Sequence, residues 1–246
     1  VIPENEIRLT TNLSFLPTNQ NNLIYKAITL LKEEFGIKKG VEVRLEKKIP
    51  VAAGMAGGSS NAAAALVGMN RLFRLGLSQK QLMEYGVRLG ADVPYCVMRG
   101  TALSEGIGEI LTPLSPMPEC FILLAKPGIS VSTKYVYQNL KLSEKMHHPD
   151  IDGMVKAINE GNLKGITDRL ENVLETVTIK EYPMIEEIKQ YMIGQGAMNA
   201  LMSGSGPTIF GIFEKKSTAK KALEGLHQFD FIKQAYVVEP FNIRKK

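Results

Sequence analysis

The chain has no tryptophan, two cysteines and three histidines in 246 residues. Two cysteines exclude a disulfide framework, and so few Cys and His together exclude a structural zinc cluster. Cys96 and Cys120 stand in apolar contexts and are expected to be reduced, buried thiols of a cytoplasmic protein. A basic stripe is also missing. The formal charge is +5, but Lys and Arg are interleaved with Glu and Asp, which argues against a nucleic-acid partner. Terminal Arg244-Lys245-Lys246 reads as a solvated tail. So mild a charge is compatible with an anionic small molecule and does not demand one. No signal-peptide pattern, long repeat or low-complexity segment occurs. The chain opens on Val1, so it is expected to begin inside an element, with a segment upstream.

What is present is a run of 22 residues without a charge, Ile49 to Asn70, in a chain that is 22% charged. Its length would allow a membrane span, but Pro50, Gly54, Gly57, Gly58, Ser59, Ser60 and Asn61 lie within it, so no membrane association is expected. Before it, Val41, Val43, Leu45 and Ile49 alternate with Glu42, Arg44, Glu46 and Lys48, the pattern of a half-buried strand. After it, Leu66, Met69, Leu72 and Phe73 recur at helical spacing up to a stop at Gly76. The run therefore reads as strand, glycine loop and helix N-terminus.

A helix N-terminus offers unpaired N–H groups and the positive end of the dipole. Each glycine there costs roughly 0.5–1 kcal/mol of chain entropy relative to alanine unless φ or close approach requires it. Phosphate binding explains both the glycines and the missing acids. A tight connection built of small residues for close helix packing is the alternative. No Lys follows the glycines, so this is not a Walker A loop, and the dinucleotide fingerprint Gly-x-Gly-x-x-Gly is absent.

Elsewhere, Asn21 to Gly36 reads as an amphipathic helix with a glycine stop. A second helix follows Ser78, with Gln81 completing a capping box. Gly90 to Leu114 reads as loop, strand, turn and strand, and the Pro-rich Thr112 to Glu119 as a domain boundary. The second half gives strand Cys120–Lys126, helices within Thr133–Met192, strands around Asn199–Ser203 and Thr208–Phe213, a helix from Ser217, and a last strand from Ile232. That β-α-β-β-α-β order is ferredoxin-like, with extra helices after its first strand. His147 to Asp150 reads as a solvated loop before a helix.

Two further places carry candidate chemistry. Asp92 is a lone acid among apolar neighbours, placed between a helix end and a strand. It either caps a turn or accepts a proton near a phosphate. Ser203-Gly204-Ser205-Gly206 is a second glycine loop, either an ordinary hairpin turn or a partner to the first loop.

Pro50-x-x-x-Gly54-x-x-Gly57-Gly58-Ser59-Ser60 resembles the second motif of the galactokinase, homoserine kinase, mevalonate kinase and phosphomevalonate kinase superfamily. With "LGADVPYC" and "MSGSGPTIFG" in the same order and spacing, the chain resembles the branch that phosphorylates a cytidine-diphosphate sugar alcohol on the methylerythritol phosphate route to isoprenoids. The resemblance implies an α+β, two-domain kinase. Residues 1–116 would be like ribosomal protein S5 domain 2, and residues 117–246 would be ferredoxin-like. It implies ATP and Mg²⁺, a small-molecule substrate, and a monomer or homodimer. Pro50, Val51, Ala52, Ala53, Gly54, Met55, Ala56, Gly57, Gly58, Ser59 and Ser60 would hold ATP, with Ser59 or Ser60 near Mg²⁺. Asn22, Leu23 and Lys47 would lie near adenine, and Ser203, Gly204, Ser205 and Gly206 would close the phosphate site. Asp92 would be the catalytic base, and Thr133 and Tyr137 would meet the cytidine. The family's opening strand, with its Lys, and an Asp-Gly-Tyr-His motif are not among these residues. Ala52 and Ala53 stand where other members have glycine, so the backbone there is not expected to need a positive φ.

Overall fold

The computed structural model describes residues 1–141 and 147–242; the Arg244–Lys246 tail lies outside them, as do residues 142–146 of the helical region expected after Thr133. The chain forms two compact units. The first comprises Val1–Val51 and Ala56–Thr112, the second Ala52–Met55 and Pro113–Lys246.

The first unit runs β1 (Ile7–Thr11), α1 (Leu23–Glu34), β2 (Val41–Leu45), α2 (Gly57–Leu72), α3 (Gln79–Val87), α4 (Val93–Met98) and β3 (Ala102–Glu105), and β4 (Ile110–Pro113) pairs with β3. β1 and β2 are parallel, with Ile7 opposite Val41 and Thr11 opposite Leu45. A parallel pair needs a crossover, and α1 supplies it. α1 starts where the Asn22 side chain accepts from the Ile24 N–H, and it buries Ile24, Ala27, Ile28 and Leu31 at helical spacing. Its chain leaves through Gly36 at φ +62°. α3 carries the expected capping box between Ser78 and Gln81. These helices bury Leu66, Met69, Leu82, Val93 and Val97 in one core with Val41.

Two expectations change here. The segment after Asp92 is helical, not a strand: Val93, Pro94, Val97 and Met98 are its buried residues, and Pro94 stands in the first turn, where its missing N–H costs nothing. The helix of the neutral run starts at Gly57, so Gly57, Gly58, Ser59 and Ser60 form its first turn rather than a loop.

The second unit runs β5 (Phe121–Pro127), α5 (Thr133–Asn139), α6 (Ile151–Asn159), α7 (Leu163–Thr167), α8 (Glu175–Glu181), α9 (Met184–Gly194), β6 (Asn199–Met202), β7 (Ile209–Phe213), α10 (Lys216–Gly225) and β8 (Ile232–Val238). Its four strands form one antiparallel sheet in the order β6-β7-β5-β8. β5 is central, and its alternate residues Leu123 and Ala125 are fully buried. They join Ile185, Ile188, Met192, Ile209, Phe213 and Ala219 in the core. Asp150 caps α6, its carboxylate accepting from the Gly153 N–H at 2.9 Å and the Arg169 Nε at 2.8 Å. Both bonds hold its pKa below the ordinary carboxylate value.

Candidate functional site

In the first unit the site begins at the end of β2. The backbone ladder stops at Thr11 and Leu45. The Asn12 side chain then continues it, accepting from the Lys47 N–H at 2.7 Å and donating to the Lys47 carbonyl at 3.3 Å. This fixes Lys47, which is buried at 9% exposure, with its Nζ donating to the Gly57 carbonyl at 2.8 Å. Burial lowers the Lys47 pKa. A Cβ on Gly57 would stand 2.7 Å from that Nζ and 2.8 Å from the Ile49 side chain, so only glycine admits the ammonium. A cation is thus held at the first residue of α2.

The N-terminus of α2 is open. Ala56 stands at the N-cap in the left-handed region, φ 46°, and makes no side-chain cap bond. No acid lies in the first turn, which presents Ser59 and Ser60, and the Ser60 N–H donates to the Ala56 carbonyl at 2.8 Å. Leu23 packs close to Gly58. Asn22 spends its side chain on the cap of α1 and on the Pro17 carbonyl, 2.8 Å away. Pro50 is half-buried and Val51 exposed on the turn before the helix.

Asp92 occupies the N-cap position of α4 but makes no side-chain cap bond, so the structural role considered for it is not used. Its carboxylate is exposed. Cys96 lies one turn on, half-buried rather than buried as expected, and its thiol is pushed up to about 11, first by burial and then by the Asp92 charge. Cys120 is buried, and burial raises its thiol to about 11 as well.

In the second unit, Ala52–Met55 packs with the Ser203–Gly206 loop. The Ser203 hydroxyl donates to the Gly54 carbonyl at 2.8 Å. Gly54 sits at φ +67°, and a Cβ there would run into the Ser203 carbonyl oxygen. Ala53 is buried, and Met55 is half-buried. Ala52 contradicts the expectation for this segment. It holds φ +50°, a conformation that its Cβ disfavours, whereas Ala53 needs no positive φ.

The Ser203–Gly206 loop joins β6 to β7. The Ser203 N–H donates to the Thr208 carbonyl at 2.8 Å and the Gly206 N–H to the Ser203 carbonyl at 2.9 Å. Gly204 and Gly206 take positive φ, 56° and 89°. Among the described residues, the N–H groups of Gly204 and Ser205 meet no protein acceptor. The Ser205 hydroxyl is 2.8 Å from that of Thr133, which opens α5. Tyr137 lies one turn on from Thr133, on the same face, with 61% of its surface exposed. Thr133 and the second loop are therefore brought together, and Tyr137 stands open beside them.

A family model for the N-terminal domain of GHMP kinases matches residues 22–100, and one for the GHMP kinase C-terminal domain matches residues 144–232. The chain belongs to the GHMP kinase family. A 4-diphosphocytidyl-2-C-methyl-D-erythritol kinase from Lachnoclostridium phytofermentans is 55% identical over 236 residues, covering 96% of this chain and 81% of that one. The enzyme of the same name from Enterococcus faecalis is 48% identical, covering 96% and 83%. A crystal structure of 4-(cytidine 5'-diphospho)-2C-methyl-D-erythritol kinase superposes with a TM-score of 0.81 at 29% identity, covering 97% of this chain and 83% of that one. A homoserine kinase from Cytophaga hutchinsonii reaches 0.80 at 20% identity, covering 96% and 82%, and shares the fold. The α+β, two-domain character of the GHMP kinases is the one seen here.

Four polar residues that hold this GHMP kinase's loops escape a reading of the sequence. Asn12 lies 35 residues from Lys47, and Asn172, Glu175 and Thr178 lie 27 to 32 residues from the backbone groups they bind. Asn12 follows β1, Asn172 lies just before α8, Glu175 opens it and Thr178 lies within it, and nothing local distinguishes them from turn, cap or helix-surface residues.

Proposed function

We propose that this GHMP kinase transfers the terminal phosphoryl group of ATP to the 2-hydroxyl of 4-diphosphocytidyl-2-C-methyl-D-erythritol, on the methylerythritol phosphate route to isoprenoids. The observation that carries this reading is the 55% identity, over 96% of the chain, to a relative named for that substrate. Residues 1–116 form a domain like ribosomal protein S5 domain 2, and residues 117–246 a ferredoxin-like one. The β6-β7-β5-β8 order supports the second assignment, and the β1-α1-β2 crossover suits the first. The unpaired thiols suit a reducing compartment, and we place the reaction in the cytoplasm.

The residues present fit ATP. The uncapped, acid-free first turn of α2 offers N–H donors to phosphate, and the Lys47 ammonium adds charge beside it. Within the second unit, the free Gly204 and Ser205 N–H groups are themselves a pair of donors suited to an anion. Ser59 and Ser60 would supply hydroxyl oxygens to Mg²⁺, an ion that keeps most of its waters and phosphate ligands. Bound with ATP, Mg²⁺ spreads the phosphate charge during transfer. The protein's part is positioning and fixed dipoles. The exposed Asp92 carboxylate, unused as a cap, takes the proton of the 2-hydroxyl. Tyr137 offers an open ring on which cytosine stacks.

Asp92→Asn tests the chemistry. It is expected to lower kcat by about 10²- to 10⁴-fold with nucleotide affinity kept; unchanged turnover would remove Asp92 from the mechanism. Tyr137→Ala should raise KM for the cytidylyl substrate and leave that for ATP in place.

A further inference from the structure

The second glycine loop hangs on side chains far from it in sequence. β6 is an edge strand, and Met202 is its last residue before the loop. Both outward backbone groups of Met202 are taken by one short segment. Its N–H donates to Glu175 Oε1 at 2.7 Å, and its carbonyl accepts from Asn172 Nδ2 at 2.8 Å. Side chains thus pair this edge where a neighbouring strand would. The same Asn172 amide donates to the Gly204 carbonyl at 2.8 Å, and Thr178 Oγ1 reaches the Ser205 carbonyl at 3.3 Å. Asn172 Oδ1 accepts from the Leu174 N–H at 3.0 Å, so every polar atom of that side chain is committed. Glu175 is fixed in turn by Lys189, whose Nζ lies 2.6 Å from Oε2, with both side chains less than 15% exposed.

The carbonyls of Met202, Gly204 and Ser205 are therefore held on the side of Asn172 and Thr178. This leaves the N–H groups of Gly204 and Ser205 unpaired and turned to other use. An anion needs that arrangement: donors offered, acceptors withdrawn. We infer that Asn172 and Glu175 are positioning residues for phosphoryl transfer, which set the loop so that its N–H groups meet the phosphate. The inference rests on the kinase reading above and on the loop's part in it.

The test pairs turnover with amide hydrogen exchange on the full chain. Asn172→Ala should speed exchange at Ser203 and Gly206 at least tenfold, leave the β5 and β7 amides protected, and lower kcat about 100-fold. Asn172→Asp, which sets acceptors against two carbonyls, should lower it further. Glu175→Gln keeps an oxygen for the Met202 N–H but gives up the charge that pairs with Lys189, and should recover part of the turnover that Glu175→Ala loses. Ile188→Val, in the core of the same unit, serves as the control: it should lower the unfolding midpoint and leave kcat unchanged. Loop exchange unaltered in Asn172→Ala, or altered with turnover intact, overturns the inference. Absent turnover in the unmodified chain overturns the kinase reading instead, and the two failures are told apart by that measurement.

Discussion

Ala52 shows how a single residue resists a reading from sequence. Alanine in place of glycine suggests an ordinary backbone, yet Ala52 holds φ +50° and Ala56 holds φ +46°. The loop's path is imposed by its neighbours, the Gly54–Ser203 bond among them, and not by local preference. Relief of the Cβ clash outweighs glycine's extra entropy at such a site. Ala52→Gly is therefore expected to stabilise the protein by roughly 0.5–1 kcal/mol, read as a higher urea midpoint. A lower midpoint would mean the left-handed conformation is not populated. The thiols give a second check at this scale. Cys96 and Cys120 ionise near 11 in the folded chain and near 9 when unfolded. The folded state then binds more protons between those values, so stability falls as pH rises from about 9 to about 11 and levels beyond. Cys120→Ala should flatten part of that slope in unfolding measured across the range; an unchanged slope would show that Cys120 is not its source.

At the level of elements, the helices with strong punctuation are legible in the sequence. α1 has its Asn22 cap and Gly36 stop, and α3 its reciprocal Ser78–Gln81 box. α4 is not legible, because Val93, Tyr95, Cys96 and Val97 are strand formers and six residues give helical periodicity no room to show. The start of α2 is hidden for another reason: Gly57 and Gly58 read as loop, and the Lys47 ammonium that meets the Gly57 carbonyl comes from ten residues upstream. The Lys47 contact makes a prediction about the element. Lys47→Met should raise KM for ATP about tenfold, the loss of one charge-assisted interaction. Lys47→Arg should not restore it, since a planar forked guanidinium does not reproduce the single ammonium contact to the Gly57 carbonyl. In the unmodified protein the rise in KM should begin on the alkaline side below the ordinary lysine pKa, because burial makes the ammonium easier to lose. Initial-rate kinetics across pH separate this from a purely structural Lys47, which would leave KM flat.

Across the whole molecule, the order of strands and helices along the second unit was readable from hydrophobic pattern, the α+β class came from the family resemblance, and the glycine runs pointed to phosphate; the spatial order of the strands appears only in the fold. The bracing of the loops was not readable. It joins residues about 30 positions apart through side-chain amides and acids, and such pairings appear only when the chain is folded. The same limit applies to substrate choice. GHMP kinases share this fold at low identity, as the homoserine kinase does, so fold alone does not name the acceptor alcohol. The most direct test is ATP-dependent phosphorylation by the purified chain, with Mg²⁺, of 4-diphosphocytidyl-2-C-methyl-D-erythritol, homoserine and mevalonate side by side. Selective turnover of the cytidylyl alcohol is the predicted result. Preference for homoserine or mevalonate, or turnover of none, would contradict it.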